Sequence, residues 1–298
     1  MIGELAALGA ALSWTVSAML YRKALQHTKP ISANILRLSL TSAVLLPFLV
    51  AIGKLQILTS LPLKILVLAT ISGMVGLGVG DTSYMISLKL IGVARAVPLT
   101  CTYPLFNLLW ATFLLGEHVM LPVVLGALII VLGIWLLSHA DETGATGAGK
   151  NILIKGIVAA LATAVLWSVS ITMMNVAVLE ASDLDHALVI NTVRAAGVAV
   201  SLLALSPLLD RKLSFLKAEL RTVTVLIAGG VVALGLGWFL LTYSFVQTYE
   251  SRAVPISSTT PLFSTLVGFV FLREKVTWRN ALGSVIIVSG IFLIFVFR

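Results

Sequence analysis

The sequence predicts an all-α integral membrane protein with ten transmembrane helices, arranged as two inverted five-helix repeats. Three observations support this. Of the 298 residues 59% are hydrophobic and 11% charged, and the mean hydropathy is +1.09. So few polar residues cannot cover a water-soluble globule of this size. The chain also contains ten long apolar runs, and its second half repeats its first.

Each apolar run has about 20 residues, enough to cross roughly 30 Å of hydrocarbon as a helix. A helix is required because irregular backbone leaves polar groups unsatisfied in lipid. The first run begins without a basic segment or a cleavage site, so we expect it to be a retained span. The expected spans are 4–24, 33–53, 64–88, 95–115, 119–138, 154–175, 187–207, 222–247, 253–272 and 278–297.

The longest polar break, SHADETGATGAGKN from Ser138 to Asn151, lies at the middle of the chain. Its composition is typical of a flexible linker. We therefore predict one five-helix repeat at 1–138, a linker at 139–151 and a second repeat at 152–298.

An internal duplication relates these two halves. An offset of 157 residues superposes pairs that include Asn34 with Asn191 and Arg37 with Arg194, while an offset of 153 superposes Trp14 with Trp167. An odd number of spans per unit places the second unit upside down in the membrane. Inverted repeats of this kind are used by many secondary transporters for alternating access.

The distribution of Lys and Arg predicts the orientation. Loops after odd-numbered spans carry 14 of these residues and the opposite side carries 4. Because positive loops stay in the cytoplasm, this count places both termini outside.

Several other classes of function are disfavoured. The net charge of +8 comes from residues at the ends of apolar runs, so we expect no nucleic-acid partner. A single cysteine, Cys101, excludes an internal disulfide, and the four histidines show no metal-ligand spacing. There is no Walker loop. We expect no enzyme activity, no cofactor and no metal.

One repeated segment stands out in the fourth and ninth spans. RAVPLTCTYPLF begins at Arg95 and RAVPISSTTPLF at Arg252, and eight of the twelve positions are identical. Proline removes a helix hydrogen bond, so we expect helix kinks, whose freed carbonyls need new partners. Either nearby hydroxyls supply these partners within a packing kink, or the polar kinks face a substrate. The four kink prolines are Pro98, Pro104, Pro255 and Pro261.

Asp81 is the most specific candidate for a functional residue, because it lies inside the third apolar run. Trp238 occupies the equivalent position in the other half. A charged residue within a span points to a cavity, an ion path or a partner. Asp81 could couple a proton or bind a substrate amine, with Tyr84 on the same helix face. Alternatively, the span ends earlier and Asp81 pairs with Lys89 or Arg95.

Arg37 and Arg194 lie early in the second and seventh spans. Snorkelling to the headgroups is the favoured interpretation, and binding of an anionic substrate group is the alternative. Glu117 and Glu274 precede the fifth and tenth spans, where a carboxylate stabilises a helix N-terminus. We interpret both acids as structural.

Glycine spacing predicts helix packing in the fifth and tenth spans. Glycines seven residues apart lie on one helix face and allow close approach to another helix. These spans should pack against each other or against a second subunit. The four packing glycines are Gly126, Gly133, Gly283 and Gly290.

Trp14 and Trp167 lie in mid-span rather than at the headgroup belts. They either line the cavity or belong to the core.

These features together resemble the drug/metabolite transporter superfamily, in its ten-helix EamA-type branch. The resemblance covers nearly the whole chain: a Trp in the first helix of each unit, an Arg in the second, RAVP...PLF in the fourth, LLGE or FLRE after it, and the glycine pairs in the fifth. It implies a secondary transporter, commonly an exporter of amino acids or related metabolites, with a central cavity lined by both halves.

The resemblance also implies cytoplasmic termini, against the charge count. Asp81 departs from the aromatic or aliphatic residue expected at its position. The membrane glutamate of the small multidrug resistance relatives is absent, since the first span has Trp14 in its middle and only Glu4 at its edge.

We therefore expect a multi-pass protein of the cell (plasma) membrane that exports small metabolites such as amino acids or amphipathic compounds by alternating access. A passive facilitator or channel is the alternative. Expected partners are a small-molecule substrate, the lipid bilayer and a proton as candidate coupling ion, with the chain a monomer or a homodimer. The predicted substrate-binding residues are Trp14, Asp81, Tyr84, Thr100, Tyr103, Trp167, Trp238, Tyr243, Ser257 and Thr260.

Overall fold

A computed structural model of the chain describes residues 1–91, 96, 99–139, 150–179, 183–263, 266–267 and 278–296. Every regular element in these residues is a helix. This agrees with the all-α class that the sequence predicts.

The regular elements of the first half, in the part of the chain that the structure describes, are α-helices and one π-helix. In chain order they are α1 (Ile2–Ala24), α2 (Pro30–Ala51), α3 (Leu55–Ser60), α4 (Leu63–Gly73), the π-helix π1 (Met74–Gly80), α5 (Asp81–Ile91), α6 (Tyr103–Phe113) and α7 (Leu121–His139).

The second half follows the same order through its third long helix, with a 3₁₀ turn where the first half has α3. Its elements are α8 (Lys150–Leu179), α9 (Leu184–Leu209), the 3₁₀ turn (Ser214–Lys217), α10 (Leu220–Gly230), the π-helix π2 (Val231–Gly237), α11 (Trp238–Gln247), α12 (Glu250–Ser257) and α13 (Trp278–Val296).

Six helical stretches in the described residues are long and apolar enough to span a membrane. They are Ile2–Tyr21, Pro30–Ala51, Leu63–Ile91, Asn151–Leu179, Leu184–Leu209 and Leu220–Gln247. Two shorter apolar helices, Leu121–Leu136 and Ala281–Val296, match the expected fifth and tenth spans. The fold is therefore that of an integral membrane protein.

The two halves interleave through equivalent contacts. Helix α1 packs against α10, π2, α11 and α12, and α8 packs against α4, π1, α5 and α6 in the same way. Helix α2 contacts α9, and α7 contacts α13. The first helix of each half thus lies in the body of the other half, and both halves share one core.

The π-helices interrupt the third long helix of each half at matched positions. Met74 and Val231, the first residues of π1 and π2, are 157 residues apart, which is the offset of the repeat. Both segments are rich in glycine, MVGLGVG and VVALGLG. A π-helix often marks a functional site, and each of these two ends where a candidate residue begins, at Asp81 or Trp238.

The predicted packing glycines lie where α7 meets α13. A Cβ atom added to Gly126 would lie 2.9 Å from the carbonyl oxygen of Gly290, and one added to Gly133 would lie 2.9 Å from that of Gly283. Such distances leave no room for a side chain. Within the chain, these two helices therefore pack backbone to backbone.

The repeated RAVP segments break rather than bend. A turn at Cys101 and Thr102 precedes α6, which has Pro104 in its first turn. In the other half α12 ends at Ser257, and Pro261 follows the turn at 258–259. A proline in a first helical turn loses no hydrogen bond, so these two prolines begin new helices instead of kinking old ones. Pro255 lies inside α12, and Pro98 is outside the described residues.

At each break a threonine hydroxyl adds a hydrogen bond to a backbone carbonyl that the same threonine's amide also bonds. The Oγ1 of Thr102 donates to the carbonyl of Leu99 at 2.6 Å, and that of Thr259 to the carbonyl of Ile256 at 2.7 Å. The two bonds are equivalent under the repeat. Some of the hydroxyls in this segment therefore serve the helix itself.

Helices reach both ends of the linker expected at 139–151. Helix α7 extends to His139 and α8 begins at Lys150. The remainder, 140–149, is outside the described residues.

Candidate functional site

An ion pair inside the protein joins α2 to α5. One guanidinium nitrogen of Arg37 lies 2.5 Å from a carboxylate oxygen of Asp81, and both side chains are almost completely buried. The second carboxylate oxygen of Asp81 accepts a hydrogen bond of 2.8 Å from the indole of Trp167 on α8. We call Arg37, Asp81 and Trp167 the ion-pair centre.

Neighbouring groups hold Arg37 in place. Its Nη2 also donates to the Oδ1 of Asn34 at 2.6 Å, and its guanidinium carbon lies 5.0 Å from the centre of the Tyr21 ring. The amide of Asn34 donates in turn to the carbonyl of Leu77 in π1, at 2.8 Å. A carbonyl of π1 is thus the acceptor that orients Asn34.

The matched position in the second half has a different chemistry. Arg194 is fully buried, and its guanidinium carbon lies 3.8 Å from the centre of the Trp238 ring, in a cation–π contact. Trp238 makes an edge contact with Trp14 of α1 at 5.4 Å between ring centres. Trp14 donates to the carbonyl of Ala233 in π2 at 3.3 Å. We call Arg194, Trp238 and Trp14 the tryptophan centre.

Two serines support Arg194 from opposite halves. Its Nη2 donates to the Oγ of Ser170 on α8 at 2.7 Å, and its Nε to the Oγ of Ser72 on α4 at 3.2 Å. Each serine hydroxyl donates to the other serine's carbonyl. The remaining nitrogen of Arg194, Nη1, is buried without a hydrogen-bond partner.

The two centres adjoin along π1. A Cβ atom on Gly76 would lie 3.1 Å from Nη2 of Arg194, and one on Gly80 would lie 3.0 Å from the Trp167 ring. These glycines are four residues apart, about one turn of helix. Their lack of side chains lets both centres approach the same backbone.

This geometry corrects two expectations. Arg37 and Arg194 do not snorkel to the headgroups, because 3% and 0% of their surfaces are exposed. Asp81 pairs with Arg37 rather than with Lys89, and Arg95, the other expected partner, lies outside the described residues. Buried charges are normally paired or stacked, and both arginines follow that rule.

Aromatic residues extend the ion-pair centre toward the repeated segments. The Trp167 ring lies 5.0 Å from that of Tyr84 and 5.9 Å from that of Tyr103. The hydroxyl of Tyr103 is 3.4 Å from that of Ser257. The two RAVP segments thus meet at these hydroxyls, next to the ion-pair centre.

Of the other predicted residues, two make contacts of a different kind and one is buried. Thr260 donates to the carbonyl of Ala11 in α1, and Tyr243 stacks against Phe239 at 6.4 Å. Thr100 is buried. The structure thus links seven of the ten predicted residues in two groups. Asp81, Tyr84, Tyr103, Trp167 and Ser257 are joined through the ion-pair centre, and Trp14 and Trp238 lie together in the tryptophan centre.

A buried carboxylate at the start of α12 was not predicted. Glu250 is completely buried and accepts hydrogen bonds from Asn107 at 2.6 Å, Thr172 at 2.5 Å and Asn175 at 2.9 Å. The sequence offers one signal, a glutamate two residues before Arg252, where the first half has Val93. The three polar partners come from α6 and α8, so only the fold assembles them.

Glu117 has a different structural role from the one expected. Its carboxylate accepts from the backbone amides of Glu250 at 2.9 Å and Ser251 at 3.1 Å. It therefore caps α12 in the other half, instead of α7, which follows it in sequence. The physical reason, a carboxylate at a helix N-terminus, is unchanged. Glu274 is outside the described residues.

Comparison with known proteins agrees with this architecture. Residues 1–139 and 154–296 match the EamA-like transporter family. A protein from Archaeoglobus fulgidus, described as an uncharacterized transporter, is 26% identical over 294 residues, covering 99% of this chain and 98% of the relative. A chain of known crystal structure has the same fold, with a TM-score of 0.75 and 23% identity over 98% of this chain and 95% of that one. This chain belongs to the EamA-like transporter family and is a multi-pass membrane transporter.

Proposed function

We propose that this chain is a secondary transporter that exports small metabolites, such as amino acids or amphipathic compounds, by alternating access. Its substrate site would lie where the ion-pair centre and the tryptophan centre adjoin. The observation that carries this proposal is the matched construction of the two centres. Each one places an arginine next to a residue that follows a π-helix, with a tryptophan from the opposite half.

This construction suits a mechanism in which the two halves move relative to each other. Trp167 of the second half bonds Asp81 of the first half, and Trp14 of the first half contacts Trp238 of the second. A rocking motion would make or break these contacts between halves. Inverted repeats commonly place the substrate near such a central interface.

Burial of the centres fits the requirement that a transporter is never open to both sides at once. Asp81, Arg194 and Trp238 are 8%, 0% and 7% exposed. Access to them from either side therefore needs a conformational change, which a continuously open channel would not.

The positive charge of Arg194 favours solutes that carry a carboxylate. Arg37 is neutralised by Asp81, whereas Arg194 has no carboxylate partner among the described residues. Its unpartnered Nη1 could donate a charge-assisted hydrogen bond to a substrate carboxylate. The surrounding tryptophans would contact an apolar side chain.

Counterflow in proteoliposomes tests this proposal. Purified protein is reconstituted, loaded with one unlabelled amino acid at a time, and supplied outside with a trace of the same labelled amino acid. An alternating-access transporter should take up the label faster when the inside is loaded, and the uptake should saturate. Empty liposomes provide the background.

Passive behaviour would give a different pattern. Uptake that neither saturates nor responds to internal solute would contradict alternating access and favour a facilitator or channel. Export is tested separately: cells that express the protein should tolerate an excess of the identified solute better, and release it faster, than cells with Arg194→Ala.

A further inference from the structure

We propose that Glu250, with Asn107, Thr172 and Asn175, forms a proton-binding site that couples transport to a pH gradient. This inference rests on the proposed transport function but concerns a different cluster from the two centres. It places the coupling group at α12 rather than at Asp81.

Asp81 is poorly suited to carry a proton. Both of its oxygens are engaged by strong donors, one by the Arg37 guanidinium and one by the Trp167 indole. A carboxylate with a cationic partner at hydrogen-bond distance is stabilised in its charged form. Protonation would also leave the buried guanidinium of Arg37 without its counter-charge.

Glu250 has the opposite surroundings. Its three side-chain partners are two amides and a hydroxyl, all neutral. A completely buried carboxylate is costly without a cationic partner. A bound proton would remove this cost.

Among the described residues, the charged groups on neighbouring elements do not supply a cation to Glu250. Glu117, which binds the N-terminus of α12, is another acid. On α12 itself, Arg252 stacks on Tyr249 at 5.6 Å. At the start of α1, the Met1 ammonium pairs with Glu4. On α13, Arg279 stacks on Trp278. Described residues of α6 and α11 contribute no Lys, Arg, His, Asp or Glu.

Two further polar atoms point to a missing donor in this cluster. The Oδ1 atoms of Asn107 and Asn175 are buried without a hydrogen-bond partner, although the amide nitrogens of both residues bond Glu250. Rotation of the Asn175 amide by half a turn would present its oxygen to the carboxyl group, whereas Asn107 is held by its bond to the carbonyl of Ser168. The cluster can therefore donate to a charged Glu250 and, through Asn175, accept a hydrogen bond from a protonated one.

The geometry favours a proton over a sodium ion. The Oε1 of Glu250 and the Oγ1 of Thr172 are 2.5 Å apart, and a hydroxyl can either donate or accept. A proton bound to Oε1 can donate to Thr172 once that hydroxyl has turned its own proton away, which requires no movement of heavy atoms. Sodium would instead need several oxygens turned toward one point, which requires both amides to rotate.

The cluster is connected to the ion-pair centre. Asn107 donates to the carbonyl of Ser168, the residue after Trp167, at 3.1 Å. Asn175 and Trp167 are eight residues apart on α8, about 12 Å. Protonation that shifts α12 and α6 would thus be transmitted along α8 to the indole that binds Asp81.

The first experiment needs no substrate. Infrared difference spectra of the full-length protein in lipid bilayers are recorded during a pH titration. We expect a protonated-carboxyl band that is lost in Glu250→Gln and retained in Asp81→Asn and Glu117→Gln. Thr172→Val, which removes one donor from the charged form, should move the midpoint of this band to higher pH. Size-exclusion profiles check that each variant is folded.

The second experiment uses the amino acid identified by counterflow. A pH gradient should drive its accumulation in wild-type proteoliposomes, and this accumulation should be lost in Glu250→Gln. The inference would be overturned if Glu250→Gln accumulated the solute as well as the wild type does. A carboxyl band unaffected by that substitution would also overturn it. Accumulation driven by sodium and not by pH would also overturn it. If counterflow itself is absent while the band behaves as expected, the proposed function fails and the proton site stands.

Discussion

Arg194 stacks on Trp238 at the positions where the other half holds the ion pair of Arg37 with Asp81. The repeat has kept the arginine in both halves and replaced its counter-ion by an indole in one of them. The ion-pair centre and the tryptophan centre together contain two arginines and one carboxylate, and so carry one net positive charge. This asymmetry gives the two halves distinct chemical roles within one symmetric architecture.

Removal of Asp81 should destabilise the protein strongly. Asp81→Asn leaves the buried Arg37 without a counter-charge, and breaking one side of a buried pair costs about 3–5 kcal/mol. We expect a clearly lower thermal midpoint in detergent. The matched control is Asp185→Asn, which breaks the half-exposed pair of Lys54 with Asp185 and should cost about 1 kcal/mol or less. Equal effects of the two substitutions would contradict the burial of the Arg37 pair.

Arg194→Lys should weaken binding of carboxylate-bearing solutes. Lysine keeps the charge but loses both the planar stacking on Trp238 and the fork of donors that reaches Ser72 and Ser170. Loss of one hydrogen bond to a charged group costs about 1.5–3 kcal/mol, roughly tenfold or more in Kd. Counterflow over a concentration series measures this.

Arg252→Lys is the control for this change, since Arg252 stacks on the exposed Tyr249. It should leave the apparent affinity for the solute close to that of the wild type. An unchanged affinity in Arg194→Lys would remove Arg194 from the substrate site.

The glycine contact between α7 and α13 should not tolerate a methyl group. In Gly290→Ala the new Cβ would lie 2.7 Å from the carbonyl oxygen of Gly126, so the helices must separate. Overpacking of this kind costs about 1–3 kcal/mol. Gly235→Ala is the control, because its nearest neighbour would be a Leu45 methyl at 3.4 Å, an ordinary contact. Thermal unfolding of the two variants should differ accordingly; a tolerant Gly290→Ala would show that the contact is loose.

Asp210, which follows α9 outside the spanning segment, should make stability depend on acid pH. Burial by itself would raise its pKa, but hydrogen bonds from Ser32, Ser214 and the Phe215 amide outweigh it and hold the pKa below the ordinary value. A lowered pKa in the folded state contributes stability above the ordinary aspartate pKa of about 4. This stability is lost as the pH falls through the folded-state pKa.

The measurement is the thermal midpoint in detergent as a function of pH. The wild type should lose stability on acidification, whereas Asp210→Asn should be less stable at neutral pH and show a flatter acid limb. Ser32→Ala, which removes one donor from α2, should give an intermediate profile. Parallel curves for wild type and Asp210→Asn would refute this assignment.

The sequence predicted the family and most of the helices for a physical reason. The length of an apolar run depends on the bilayer, so Pro30–Ala51 and Leu184–Leu209 could be located from composition alone. The repeat offset also paired Arg37 with Arg194 and Asp81 with Trp238 before any contact was known. Such pairings rest on the order of residues and need no three-dimensional information.

Contacts between helices could not be predicted in this way. The sequence favours a position of the Arg37 side chain at the headgroups. Its burial depends on Asp81, which reaches it from another helix. The capping of α12 by Glu117 depends on the packing of the two halves, as does the cluster of Glu250 with Asn107. Residues far apart in sequence assemble these sites, and hydrophobic periodicity contains no record of which helices will meet.

By itself, therefore, the sequence determined a membrane-embedded, duplicated, helical transporter and the identity of its two arginines. Only the packing of the helices established what each arginine contacts, where the π-helices interrupt the α-helices, and that the side-chain partners of Glu250 among the described residues are all neutral. The reason is that spans and repeats are encoded locally, whereas the partner of a buried charge is selected by the packing of helices from both halves.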